Sequence, residues 1–559
     1  MKRALLACVL ALTACAAPSS YEGLAGGTKE DAAVVAPRPV SPVSVSLVSS
    51  SRPRLKWELG APADGVAPLT GAIVEMSRTR DFAKDVKRFE AKGSELIVPE
   101  DLDLGVWFWR LKGNASGSVG TTPSVVWEMV VRGPAAHGSS DAPTRSMVDM
   151  NGDGIADLYI AGTVDMSDPQ STSPTPILTN VSVQGAPPPA KPTAPLLAFY
   201  AGDKDNGFAL ADAVAFDSEA YEGPVTIGAG TDFDGDGITD VVRGGFTSYV
   251  DQGDTFFDVD MIYGTTSSKS PFDLNRGGPV YFASDSMTVA SVREGGDVDG
   301  DGYGDMVVGI QDASFVMLGN APTAGQLGGQ PATIPMMPDF PLGKSRIAIG
   351  AFDANGDGLS DVAFSIDTTY APNVRAFAAA GNHSQRVAEP MMLDGADAKA
   401  AIAFAAGDFN GDGLDDVAIA TPVSDSTRVC IWLGNRDKLL VKGACVVAPA
   451  GDVDFGANLT AGDLEGDGVD ELIATAKNGG VEGTRVIRMD GAGNATVAPI
   501  GVPGVGVRLT TIWPGRPGKA RWAAVAADGS RVAVFEGAAL VTSVAPTAGV
   551  IRGFGRGLR

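Results

Sequence analysis

The chain has 559 residues, 72 of them Gly and 36 Pro, and a formal net charge of −24 from 67 acidic and 43 basic side chains. Gly and Pro are the poorest helix formers, so their abundance excludes a helical bundle and points to many turns joining short strands, while 44% hydrophobic content excludes a disordered acidic tail. The acid excess excludes nucleic acid as a partner, because phosphate binding needs clustered Lys and Arg, and two His alone, His137 and His383, argue against His-ligated zinc and His-based catalysis.

In chain order, Met1, Lys2 and Arg3 form a basic start and Ala4 to Leu12 an apolar run. This is the layout of a secretory signal, too short to span a bilayer permanently. Leu12-Thr13-Ala14-Cys15 resembles the lipobox of bacterial lipoproteins. The resemblance implies cleavage after residue 14 and lipidation of Cys15; the alternative is a generic secretory signal with an incidental Cys. Ala16 after the Cys implies the outer membrane, on its periplasmic or cell-surface side, with the lipid as the membrane anchor. Residues 15–39 are rich in Ala, Pro, Ser and Gly and read as a tether.

Residues 40–132 alternate in strand fashion, with Trp107, Trp109 and Leu111 on one side of a strand and Val106, Phe108 and Arg110 on the other. Such short period-two strands predict an antiparallel sandwich. Pro53–Trp57, Ile73–Ser77 and Leu104–Arg110 resemble a fibronectin type III domain. Its four Trp are read as core, with carbohydrate stacking by an exposed one as the alternative.

The main body carries an internal repeat. Six nine-residue acidic loops begin at Asp149, Asp232, Asp297, Asp353, Asp408 and Asp463. Position 3 is Asn151, Asp234, Asp299, Asn355, Asn410 or Glu465, and position 5 is Asp153, Asp236, Asp301, Asp357, Asp412 or Asp467. Gly fills position 6 throughout, and position 9 is Asp157, Asp240, Asp305, Asp361, Asp416 or Glu471. Calcium is a hard cation taking six to eight oxygens. Positions 1, 3, 5 and 9 would supply side-chain oxygens, and Ile155, Ile238, Tyr303, Leu359, Leu414 and Val469 at position 7 would add backbone carbonyls. Up to six Ca2+ ions are expected, with magnesium the weaker candidate because it tolerates crowded protein cages poorly.

An EF-hand needs a bidentate Glu at position 12, where this chain has Ile160, Arg243, Val308, Phe364, Ile419 and Ala474. Short apolar runs follow each loop instead, so each loop is expected to join two strands. A further apolar strand then leads to Gly202, Gly264, Gly319, Gly381, Gly434, Gly491 and Gly537, a seven-fold count. The seventh unit has Arg516, Lys519 and Arg521 where the others are acidic, and should bind no metal. The expected fold is all-β: a seven-bladed β-propeller over residues 144–546, with calcium loops in six blades and 547–559 as a tail. Cys430 and Cys445 flank a predicted hairpin; a cross-strand disulfide fits an exported chain, against two free thiols.

The acidic loops, the strand after each, and Phe455-Gly456 resemble the FG-GAP repeat family found in integrin α subunits. The resemblance implies that the calcium loops share one face and that ligands use the other. Insertions at Thr163–Ala194 and Thr247–Thr255 would project from that second face, as binding loops or as disordered decoration. The sequence thus points to a surface-anchored adhesion or ligand-binding module for a protein or polysaccharide. The alternatives are a cation-dependent lyase or glycosidase and an envelope assembly scaffold.

Overall fold

The computed structural model describes residues 29–554 except 49, 63–66, 104, 132–148, 153–155, 166–192, 203–206, 216–225, 229–230, 250–253, 265–271, 285–288, 311–312, 320–342, 369–373, 384–390, 394–402, 424–425, 491, 513–519, 529 and 545–549. The signal, Cys15, Asp153 and Ile155 lie outside the described residues. No helix occurs among the described residues; every regular element is a strand.

The N-terminal unit is a sandwich of a seven-stranded and a three-stranded sheet, the latter made of Arg38–Ser41, Arg54–Glu58 and Glu95–Ile97. Alternation along Gly105–Ala115 turns Trp107, Trp109 and Leu111 into a core with Trp57, Met76, Trp127 and Met129. Trp109 and Trp127 meet edge to face at 5.6 Å. All four Trp are buried, at 0–3% exposure, so the carbohydrate-stacking alternative has no exposed ring to use. The opposite face of the same strand is also covered: Phe108 is buried because it packs on Gly237 of the main body.

The chain enters this sandwich earlier than the tether reading allowed. Lys29–Asp31 pairs in parallel with Ser118–Gly120, and Val34 is buried. The carbonyl of Val34 sits so close to Gly120 that a Cβ there would approach it to 2.4 Å. Burial of Val34 and the backbone pairing explain why these residues do not behave as linker.

Seven further antiparallel sheets follow among the described residues. The fifth shows the pattern in full: Ala403–Gly407, Asp416–Val423, Ser426–Asn435 and Leu439–Val447 pair in sequence order. Each sheet is apolar on both faces because it packs between two others. Phe352 and Ala363 meet Phe404 and Val417, and Ala418 and Ile431 meet Phe455 and Leu472. Ile473 and Val486 pack with Trp522 and Phe535, and that cluster continues to Leu158 and Tyr200 of the first sheet. Last packs on first: this is propeller closure. Burying a side chain of this size stabilises by about 1.5–3 kcal/mol.

Two segments differ from expectation. Val550–Phe554, placed in a tail, pairs antiparallel with Leu158–Asp165 and becomes the inner strand of the first sheet. Without it that sheet would expose an unpaired edge. The insertion at Thr247–Thr255 is mostly paired strand, Tyr249 opposite Asp254; of the insertion at Thr163–Ala194, residues 163–165 and 193–194 pair and the rest lies outside the described residues. Cys430 and Cys445 face each other across a hairpin and are joined by a disulfide.

Candidate metal centre

Each acidic loop joins the first strand of a sheet to the second, and its winding follows from side chains bonding backbone. In loop five the Asp408 carboxylate accepts the N–H groups of Gly411, Asp412 and Gly413 at 2.7–3.2 Å. Asn410 accepts from Asp412 and Asp412 from Leu414. The same positions serve in loop four at Asp353, Asn355 and Asp357 and in loop three at Asp297, Asp299 and Asp301. In loop six Asp463 accepts from Gly466 and Gly468, and Asp467 from Val469. Gly at positions 4 and 6 is required: Gly411 and Gly413 have φ of 77° and 83°, where side chains are strained. Position 2 anchors the loop through a buried apolar residue, Met150, Phe233, Val298, Ala354, Phe409 or Leu464.

Position 9 does more than close the loop. One oxygen of Asp416 accepts the position 2 N–H of Phe409, and the other accepts the N–H of Gly434 at the end of the third strand. Asp157, Asp305 and Asp361 likewise take Met150 with Gly202, Val298 with Gly319, and Ala354 with Gly381. Asp240 and Glu471 take Phe233 and Leu464. The loops and the glycine series, separate markers in the sequence, are thus two ends of one hydrogen bond.

Position 8 was missed by sequence reasoning. The N–H groups of Thr239, Gly304, Ser360, Asp415, Asp470 and Ala520 each donate to the position 1 carbonyl of the preceding loop, at 2.5–3.0 Å. Where position 8 has an oxygen, the bond is returned: Asp149, Asp297, Asp353 and Asp408 donate their N–H to Thr239, Ser360, Asp415 and Asp470. Adjacent sheets are therefore stitched loop to loop. The available signal was the choice of Thr, Ser or Asp immediately before the closing carboxylate.

In loop two, oxygens of Asp232, Asp234 and Asp240 lie within 4.8 Å of one another, as do those of Asp297, Asp299 and Asp305 in loop three. Oxygens bound to one ion at about 2.4 Å can be at most about 4.8 Å apart, so this spacing fits a common hard cation. Asp236 is exposed and Asp301 half-buried at the loop tips. Ile238, Leu359 and Leu414 are buried, Val469 is half-buried, and Tyr303 lies half-buried under Arg80. Asn at position 3 gives loops one, four and five a carboxylate fewer.

Electrostatics point the same way. Burial, then repulsion from Asp301 and Asp299, holds Asp297 well above the usual carboxylate range; Asp232, Asp305 and Asp361 are raised similarly, burial leading in each. Burial raises Asp416 to about 8 against the pull of the Gly434 N–H, and Asp353 to about 7. Dehydrated carboxylates crowded without compensation disfavour ionisation, and a bound divalent cation would supply the missing charge.

Loop six is different. Arg488 bonds Glu465 at 2.9 Å and Glu471 at 3.3 Å, so a guanidinium grips two of its acidic side chains. In the seventh unit Arg521 stands where the others close with a carboxylate, just after Ala520, and pairs with Glu536 at 3.1 Å. Arg516 and Lys519 lie outside the described residues.

The sandwich sits on this loop face. Arg80 donates to the Gly302 carbonyl at 2.8 Å and stacks 3.9 Å from the Tyr303 ring centre. Ser44 donates to the same carbonyl, and Arg38 donates to that of Asp357. His383, read from sequence as an ordinary surface residue, lies 2.9 Å from the Asp299 carbonyl and 3.5 Å from Arg38.

Residues 408–474, loop five through the strand after loop six, match the FG-GAP-like repeat family model. No curated protein matches the chain in sequence. Among solved structures, the Dos1 propeller aligns at 9% identity and a TM-score of 0.34, over 63% of this chain and 82% of its own. A rhamnogalacturonan lyase of Bacillus licheniformis aligns at 12% identity and 0.25, over 91% and 71%. The structure titled eukaryotic initiation factor aligns at 10% and 0.29, over 81% and 98%. None of these likenesses transfers a function. The chain is an all-β protein of propeller architecture that carries an FG-GAP-like repeat at residues 408–474.

Proposed function

We propose that this protein is a calcium-binding adhesion or ligand-binding module, anchored to the bacterial outer membrane through lipidated Cys15, with a seven-bladed propeller as its recognition element. Calcium in the acidic loops stiffens the propeller, and the partner, a protein or polysaccharide, binds the face opposite those loops. The observation that carries this reading is the seat of the sandwich. Arg38, Ser44 and Arg80 lie on loops three and four, so the loop face is partly covered and the opposite face is left to a partner. No nucleophile with a general base stands out, and the acidic clusters are tied into loop winding. The test is a glycan and protein array probed with full-length protein in calcium and in chelator, with turnover checked on every hit. Calcium-dependent capture without turnover, reduced by deleting residues 166–192, supports the module. Turnover of a captured glycan would replace it with the enzyme reading.

A further inference from the structure

Glu128, on the sandwich strand Trp127–Val131, points away from the sandwich core toward loop two. It is 2% exposed, and its Oε2 has no hydrogen-bond partner among the described residues. Its carboxyl group lies within hydrogen-bonding reach of that of Asp232, with Asp236 and Asp240 close enough to repel it. Two ionised carboxylates offer acceptors alone, so this approach needs a proton or a cation between them.

The surroundings decide between the two. Glu128 and Asp232 line a small cavity of ≈ 10 Å³ with Asp149, walled by Val45, Val106, Val130 and Ile238. Room there is about that of one water or ion, and apolar walls give little solvent compensation. A single proton would settle one pair and leave Asp234 and Asp240, which converge on Asp232 within 4.8 Å, uncompensated. Arg80, the nearby cation, is committed to the carbonyls of Gly302 and Val126 and to the Tyr303 ring. The backbone holds Glu128 in place: its N–H donates to Ser44 and its carbonyl accepts from Val45.

We propose that Glu128 completes the oxygen shell of the divalent cation held by loop two, so that the ion joins the sandwich to the propeller. This rests on the reading of the loops as calcium sites and goes beyond it, because the ligand comes from a different domain, 104 residues before Asp232 in the chain. Loop two is then an inter-domain clamp, and calcium sets how firmly the sandwich is seated.

The experiment is calcium titration of full-length protein, wild type, Glu128→Gln and Glu128→Ala, by calorimetry and native mass spectrometry. Amide hydrogen exchange at residues 127–131 is followed with and without calcium. Gln keeps the shape of the side chain and guards against a folding defect in the Ala variant. The expected result is one site weakened roughly tenfold or more, the others unchanged, and loss of the calcium-dependent protection of 127–131. Wild-type affinity at every site together with retained protection in both variants would overturn the proposal and leave the loop sites standing. Absence of calcium binding by the wild type would overturn both.

Discussion

Loops three and six share spacing, winding and a buried position 2 residue, yet handle their acid differently. Loop three buries Asp297 and Asp305, with Asp299 beside them, and among the described residues no side chain forms an ion pair with these carboxylates. Loop six uses two longer Glu side chains, and Arg488 from the third strand reaches both. The comparison separates geometry from charge. Backbone N–H groups wind either loop, whereas charge compensation is external in one and partly internal in the other. The seventh unit completes the series with Arg521 at the closing position.

The largest effect that would break this comparison is Asp297→Ala. It removes the acceptor of the Gly300 and Gly302 N–H groups, each buried donor costing about 1–3 kcal/mol when unpaired. A fall in stability of several kcal/mol is expected by denaturant unfolding in calcium, with one ion fewer by native mass spectrometry. A loss under 1 kcal/mol would mean that the loop is wound by something else.

The pH dependence comes next. Folded Asp416 is held near about 8, against about 4 in an unfolded chain. It therefore binds more protons folded than unfolded between those values. In chelator, stability should fall as pH rises from about 4 to about 8, by up to about 1.4 kcal/mol per pH unit for such a group. Calcium should flatten or reverse that slope. Melting curves at pH 5 and 8 read it directly, and equal chelator curves would contradict the burial argument.

Asp470→Ala removes the acceptor of the Asp408 N–H between sheets and should cost about 1–3 kcal/mol without altering the number of ions bound. Arg488→Met has the smallest expected effect on stability, about 1 kcal/mol, because its ion pairs are partly solvated. It should nevertheless tighten calcium at loop six by freeing Glu465 and Glu471. Unchanged affinity there would show that the guanidinium does not compete.

What the sequence made legible is what lies within nine residues. Asx turns, paired Gly and position 2 anchors are local, so six loops and the strands flanking them can be read directly. Phe455-Gly456 is of this kind too: Phe455 is fully buried, and Gly456 has φ of 73°. Position 8 escaped because its partner is the preceding loop, 90 residues away for Thr239 and Asp149. Glu128, Arg80 and His383 escaped for the same reason, since their partners belong to another domain. Val550–Phe554 carries an ordinary strand pattern, and its place is set by the open edge of the first sheet rather than by its own residues.

The central claim is that the acidic loops are wound to hold divalent cations. Native mass spectrometry across a calcium titration, with melting curves in chelator and in calcium, tests it most directly. The account predicts up to six bound ions, the loop six ion weakest, and a melting temperature that drops in chelator and returns with calcium. No bound ion and superimposable melting curves would contradict it.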